Sequence, residues 1–307
     1  MGTLRFCSAR RLFYIQTVGM FLVMDTASAP PADVDLPQGQ VSYRVTGPPA
    51  STQPPVVFLH GLLVDGRLWG GVADRLAERG VRGYAPTLPL GSQPAPMRPD
   101  ADLTPRGVAR LVLDFIAALG LRDVTLVGND TGGAIAQFVL DTDPTPIGRV
   151  VLTNCDAFDT FPPFPFTLLV RALRHPAVVS AIVPSLRSTR MRHSRLGFGP
   201  LASGPFDPEL TRAWVQPLAD RDIRRDAAKL ARGIDPKDLL DVSTRLGEFT
   251  RLVHLLWGDG DRYFRLDLAR RLAEAFPKAT LQTVAGGRTF LPLDHPDRVA
   301  AAILEAA

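Results

Sequence analysis

The segment Val127-Gly128-Asn129-Asp130-Thr131-Gly132-Gly133 has the strongest claim to chemistry. An apolar strand, then Gly-x-Asp-x-Gly, then a helix is the pattern of a nucleophile elbow, a tight turn that lifts one side chain above a sheet. Glycines permit the close backbone approach, and the first N–H groups of the following helix aim at the same point. A carboxylate held there can attack carbon or take a proton as a base. A phosphate-cradling loop or a plain strand-to-helix turn is the alternative that the motif alone leaves open. His60-Gly61-Leu62 closes an earlier apolar strand. There the N–H of Leu62, with that of Thr131, can cradle a developing negative charge, while His60 itself reads as a buried structural residue. A third apolar strand ends in Gly258-Asp259-Gly260-Asp261.

Elements to position these residues are legible from about residue 33. Gln40 to Thr46 alternates as Val41, Tyr43 and Val45, the period of a half-exposed strand. Pro55 to Leu59, Val81 to Leu88, Val124 to Val127, Val150 to Leu152, Leu252 to Leu256 and Leu281 to Val284 read as further strands. Helical spacing marks Gly66 to Glu78, Thr104 to Leu119, Gly132 to Leu140 and Asp297 to Glu305. Strands alternating with helices predict a mostly parallel sheet covered on both faces.

Between residues 157 and 247 the strand signal stops. Prolines, arginines and the helical pieces Pro165 to Leu173, Glu209 to Leu218 and Ile223 to Ile234 replace it. The expected division is a core of 33–156 and 248–307, with 157–247 as a helical cap inserted after the sixth strand. Ligands in such sheets bind beyond the carboxyl ends of the strands, so a cap there walls a pocket. Phe158, Phe161, Phe164, Phe166 and Trp214 suggest a hydrophobic occupant, although cap packing explains at least half of them. The arginines from Arg171 to Arg195 can attract an anion or simply form a solvated face, with His175 and His193 beside them.

These elements in this order resemble the α/β-hydrolase superfamily, and the elbow resembles its aspartate-nucleophile branch, which includes haloalkane dehalogenases and epoxide hydrolases. The resemblance implies an α/β-hydrolase fold, Asp130 as nucleophile and Asp261 as catalytic acid, with Asp259 the alternate. It also implies an oxyanion-binding loop at His60, Gly61 and Leu62, and no cofactor or metal. Asn154 and Asp156, after the sixth strand, are further residues expected to face the pocket, since an alternate acid occupies that region in the fold. In the branch a histidine after the last strand activates water. Aligned on Phe290 and Asp294-His295-Pro296, that position falls on Thr289, whose hydroxyl is far too weakly basic for the task.

Of the other histidines, His254 lies in a buried strand and His295 at a helix start. The tryptophan that a dehalogenase would carry after its nucleophile is Thr131 here, and the residue after His-Gly is Leu62. The four tyrosines, Tyr14, Tyr43, Tyr84 and Tyr263, all fall outside the cap, where an epoxide hydrolase would need them. Three functions remain open: hydrolysis of a small apolar substrate through Asp130, non-hydrolytic lyase, isomerase or cyclase chemistry with Asp130 as base, or ligand binding by a pseudoenzyme.

Bulk properties set the outer limits. At 307 residues, 46% hydrophobic and 21% charged, the chain is an ordinary globular protein with room for one large core. A net charge of +4 without a clustered basic stripe argues against nucleic-acid binding. Cys7 and Cys155 form no disulfide framework and no zinc-ligand spacing. Arg5, Arg10 and Arg11, the apolar run Leu12 to Met24 and Ala27-Ser28-Ala29 read either as a signal-like leader or as an extension ahead of a start at Met24. The run is too short and polar for a stable membrane span. A cytoplasmic location is expected, with secretion or membrane association the alternative; the oligomeric state is left open.

Overall fold

The computed structural model describes residues 31–306. The signal-like reading of the N-terminus, with the choice between Met1 and Met24, lies outside the described residues. Eight strands form one sheet in the order β1-β2-β4-β3-β5-β6-β7-β8. β1 (Ala32–Leu36), β2 (Gly39–Thr46) and β4 (Gly83–Pro86) pair antiparallel. From β4 onward every pair is parallel, through β3 (Val56–Leu59), β5 (Val124–Asp130), β6 (Ile147–Cys155), β7 (Val253–Gly258) and β8 (Ala279–Val284). The central strands are buried on both faces because helices cover both sides, which is why they read as unbroken apolar runs. β1 is a finding that hydropathy spacing does not give, and it moves the start of the fold to Ala32. Asp33 and Asp35 alternate with Val34 and Leu36 along an exposed edge, where charge guards against wrong pairing.

A 3-10 turn over Gly66–Trp69 leads into α1 (Gly70–Glu78), so the stretch expected as one helix is two pieces. Asp65 sets the break by accepting from the Arg67 N–H at 2.9 Å. α2 (Pro105–Ala118) starts with Pro105 behind Thr104, whose hydroxyl accepts from the Gly107 N–H at 3.1 Å. α3 (Thr131–Thr142) follows β5 directly.

Between β6 and β7 come α4 (Phe166–Leu173), α5 (Pro176–Ile182), α6 (Thr189–Arg192), α7 (Pro208–Val215), α8 (Arg221–Gly233) and α9 (Pro236–Ser243). Three of these match the helical spacing of the sequence; α5 and α6 are shorter, and α9, as long as α4 and α7, is a helix the sequence reading did not include. α8 buries Ile223, Ala227, Leu230 and Ala231 along one stripe, and Asp220 caps it by accepting from the Asp222 and Ile223 N–H groups. α10 (Leu266–Ala275), α11 (Leu291–Asp294) and α12 (Pro296–Glu305) complete the chain. Buried residues of α2, α3 and α10 pack on one face of the sheet, and those of α1, α11 and α12 on the other.

The inserted helices are tied to the sheet by polar bonds as well as apolar packing. Trp214 is fully buried edge-on to Phe198 and Phe290, with centroids 5.2 and 5.9 Å away. Its indole donates to Asp65 Oδ1 at 3.2 Å, and its carbonyl accepts from Ser92 Oγ at 2.7 Å. Asp226 of α8 accepts the Met97 N–H at 2.7 Å. The solvated face expected for Arg192 and His193 is corrected here. Arg192 is buried, donating to the carbonyls of Leu186, Arg187 and Pro208 and to the hydroxyls of Thr189 and Thr211. Five oxygen acceptors satisfy the guanidinium without a carboxylate. His193 is half-buried, with Nε2 2.9 Å from Thr211 Oγ1.

Candidate active site

β5 delivers Asp130 into the backbone conformation φ 54°, ψ −131°. A non-glycine residue at positive φ is strained, and such strain persists only where the surroundings impose it. Here two close approaches impose it. A Cβ on Gly132 would collide with the carbonyls of Leu59 and His60, and a Cβ on Gly61 would collide with the Asp130 side chain. The loop after β3 thus lies directly against the turn after β5, and only glycine fits on either side.

The Asp130 carboxyl is pushed up to about 7, chiefly because protein surrounds it. The Leu62 N–H opposes that rise, the negative charge of Asp261 adds to it, and the Thr131 N–H opposes it again. Both N–H groups therefore lie near enough to favour the ionised carboxyl, while the Asp130 side chain makes no capping hydrogen bond to α3. His60 explains the aim of the first. Its Nε2 accepts the Leu88 N–H at 2.8 Å, which leaves the proton on Nδ1 to be donated to the Gly61 carbonyl at 2.8 Å. In a trans peptide the C=O and the next N–H point in opposite directions. Pinning the Gly61 carbonyl away from Asp130 turns the Leu62 N–H toward it. Burial holds His60 below the usual imidazole range, consistent with this neutral tautomer.

Asp261 lies beyond β7 and is held by four donors. Oδ1 accepts the Tyr263 and Phe264 N–H groups at 2.8 and 3.2 Å. Oδ2 accepts Asn154 Nδ2 at 2.9 Å and Thr289 Oγ1 at 2.8 Å. Burial raises the Asp261 carboxyl and these donors resist the rise. Asn154 also accepts the Gly258 N–H at 2.7 Å, and the Thr289 carbonyl accepts Asn129 Nδ2 at 2.6 Å. Asn129, unremarked by motif, thus ties the elbow to the loop after β8. Its sequence signal is a polar residue beside an otherwise apolar strand. Asp259 stands apart, accepting the Gly286 N–H at 2.7 Å as a loop brace.

Asp156 is the third carboxylate of the cluster. Its N–H donates to the Asp130 carbonyl at 3.4 Å and its carbonyl accepts Gln137 Nε2 at 2.8 Å. The side chain is fully buried and neither carboxyl oxygen has a hydrogen-bond partner. Burial, then the charge of Asp130, hold it well above the usual carboxylate range. Asp130 is the most accessible of the three: Asp261 is buried and Asp156 fully enclosed.

Asp130, Gly61, Leu62, Thr131 and Asp156 are thus brought to one place, with Asp261, Asn154 and Thr289 linked behind it. Asn154 and Asp156, expected to face the pocket, are fully buried, as are Thr289 and His60, the last in keeping with its structural reading. Among the described residues, which include all five histidines, none donates to or accepts from Asp130 or Asp261. His254 Nδ1 lies 2.9 Å from Thr280 Oγ1, while His175 and His295 sit at the starts of α5 and α12. No cluster suited to a metal ion occurs among the described residues, and no helix there is long and apolar enough to cross a membrane.

Comparison with known proteins agrees with this geometry. A 2-hydroxy-6-oxononadienedioate/2-hydroxy-6-oxononatrienedioate hydrolase of Dechloromonas aromatica is 24% identical over 281 residues, covering 89% of this chain and 91% of the relative. A haloalkane dehalogenase of Mycobacterium bovis is 28% identical over 291 residues, covering 88% and 92%. The crystal structure of the haloalkane dehalogenase DbeA from Bradyrhizobium elkani superposes with a TM-score of 0.72 at 21% identity, covering 91% of this chain and 99% of that one. The profile of the Alpha/beta hydrolase family matches residues 56–302, from the first residue of β3 into α12. With the parallel strands β3 to β8, the turn at Asp130 and the helices inserted after β6 all inside that span, the chain belongs to the Alpha/beta hydrolase family.

Proposed function

We propose that the protein is a hydrolase that opens a small apolar electrophile by attack of the Asp130 carboxylate. The observation that carries this reading is the strained Asp130, set in a strand-to-helix turn with its side chain against Gly61 of the facing loop and the start of α3 behind it. One carboxylate oxygen attacks carbon, the leaving group departs with the bonding electrons, and an ester joins substrate to enzyme. Water then attacks the ester carbonyl, and the oxyanion that develops is stabilised by the N–H groups of Leu62 and Thr131. Collapse returns the Asp130 carboxylate and releases an alcohol whose oxygen came from Asp130. The relatives named for haloalkane dehalogenation and for hydrolysis of 2-hydroxy-6-oxo acids support a small-molecule substrate.

On this reading Thr289 stands where the branch keeps its histidine. Its hydroxyl is committed to Asp261, so the second half-reaction lacks a strong base and the ester is long-lived. A single turnover in water enriched in heavy oxygen tests the route. Label on the Asp130 carboxylate with unlabelled product alcohol supports ester formation, whereas label entering the product directly excludes it.

A second reading is favoured by one observation, the Asp130 carboxyl pushed up to about 7. A carboxylate in that range is matched to proton abstraction near neutral pH. The same two N–H groups would then hold an enolate, giving lyase, isomerase or cyclase chemistry. Solvent deuterium entering a bound ketone or ester marks this alternative. A pseudoenzyme that only binds is distinguished by ligand affinity that Asp130→Asn leaves unchanged.

A further inference from the structure

α4 and α5 pack on α8 and on each other. The residues they bury, Val170, Leu173 and Val179, face that contact. Their outward sides are apolar. Leu168 and Arg171 lie three positions apart along α4, with Phe164 just ahead of the helix, and Val178 and Ile182 lie four apart along α5. Phe164 is 75% exposed and Leu168 55%. Met191 and Leu196, the latter 89% exposed, continue the series past α6. Six of the eight large hydrophobic residues exposed among the described residues fall in this one stretch. Scattered single apolar residues are ordinary on a surface, but such a concentration marks an interaction face.

Charge says what kind of partner fits. No aspartate or glutamate occurs between Asp159 and Asp207, and that interval holds six arginines. The whole chain nets +4, so the remainder of the protein is net acidic. Arg171, Arg187, Arg190 and Arg195 are exposed, and among the described residues none is in an ion pair. The flanking acids are engaged elsewhere, Asp159 by Arg271 and Glu209 by Arg212. An apolar stripe bordered by unpaired cations, with no acid in its own stretch of chain, is the composition of an interfacial element on an anionic membrane.

We propose that the outer face of α4 and α5, with the arginines after it, docks on an anionic lipid bilayer. Phe164, Leu168, Val178 and Ile182 enter the acyl boundary and the arginines meet the lipid phosphates. Docking would set the inserted helices against the phase in which an apolar substrate concentrates.

Vesicle flotation of the full chain tests this without reference to catalysis. Wild-type protein is expected to float with phosphatidylcholine vesicles containing phosphatidylglycerol, far less with phosphatidylcholine alone, and less as salt rises past about 0.1 M, where screening lengths fall to about 10 Å. The paired variants L168D/I182D and R187E/R190E are each expected to weaken binding about tenfold or more. The arginine pair makes no side-chain hydrogen bond or ion pair among the described residues, so its result stands even if the apolar pair disturbs packing. Wild-type protein that stays with the pellet overturns the proposal. So does flotation that R187E/R190E leaves unchanged, which would put the contact elsewhere in the chain. A salt-insensitive dimer dissociated by L168D/I182D would make the face a self-association surface instead.

Discussion

Thr289 donates its hydroxyl hydrogen to Asp261 Oδ2 at 2.8 Å, in a fully enclosed position. Asp261 receives three further donors, from Asn154, Tyr263 and Phe264. A carboxylate so supplied orients its neighbours well, and in the proposed reaction what it orients is a threonine. On the proposed reading, Asp130 can form an ester while no base stands ready to activate water.

Thr289→His is expected to place an imidazole against Asp261 and to shorten the lifetime of the ester. A positioned base contributes about 10²–10⁴-fold, and a gain within that range is the expected result. Overpacking the enclosed site costs about 1–3 kcal/mol, so thermal melting should fall while turnover rises. Pre-steady-state decay of the ester, followed by mass, reads the rate directly. Decay unchanged in a folded variant would show that Thr289 does not occupy the base position.

The rate of ester formation should follow ionisation of Asp130. Its carboxyl is pushed up to about 7, and the ionised form is the nucleophile, present above that value. The rate should be flat at alkaline pH and fall about tenfold per pH unit below the midpoint. A profile flat down to pH 5 would contradict the burial argument.

His60 is a positioning residue for the Leu62 N–H. His60→Ala frees the Gly61 carbonyl and leaves the buried Leu88 N–H unpaired, a loss of about 1–3 kcal/mol in stability. Loss of one oxyanion donor costs about 10²–10³-fold in rate. The expected signature is a slower reaction with the pH midpoint displaced upward, because the Leu62 N–H no longer favours the ionised carboxyl. Denaturant melting and the pH profile together separate this from a stability effect alone.

Asp156 should show its protonation as a pH-dependent stability. Its carboxyl is raised in the folded protein, so folding carries no penalty from it below the unfolded value near 3.8. As pH climbs past that value the unfolded chain ionises first and stability is lost. Asp156→Asn is a neutral isostere that cannot suffer this loss. Its melting temperature should match wild type at pH 4 and exceed it at pH 8. Equal differences at both pH values would contradict a carboxyl raised by burial.

Much of this site was legible because it depends on local signals. The strand, Gly-x-Asp-x-Gly and the helix after it specify the elbow, and the apolar run ending at His60 specifies the opposing loop. What spacing could not show was long-range. Asn129 to the Thr289 carbonyl spans 160 positions, and Asn154 to Asp261 spans 107. Such bonds exist only once the sheet has ordered β5, β6 and β7 side by side. The burial of Arg192 was hidden for the same reason, since five scattered oxygens rather than an acid satisfy it. β1 escaped because an edge strand with two aspartates carries no apolar run.

Intact mass spectrometry after exposure to a reactive haloalkane or epoxide tests the central claim most directly. The account predicts a single adduct on wild-type protein, mapped by peptide analysis to Asp130, that persists after the reagent is removed and is absent from Asp130→Asn. Wild-type protein that stays unmodified, or an adduct that forms equally on Asp130→Asn, would contradict it.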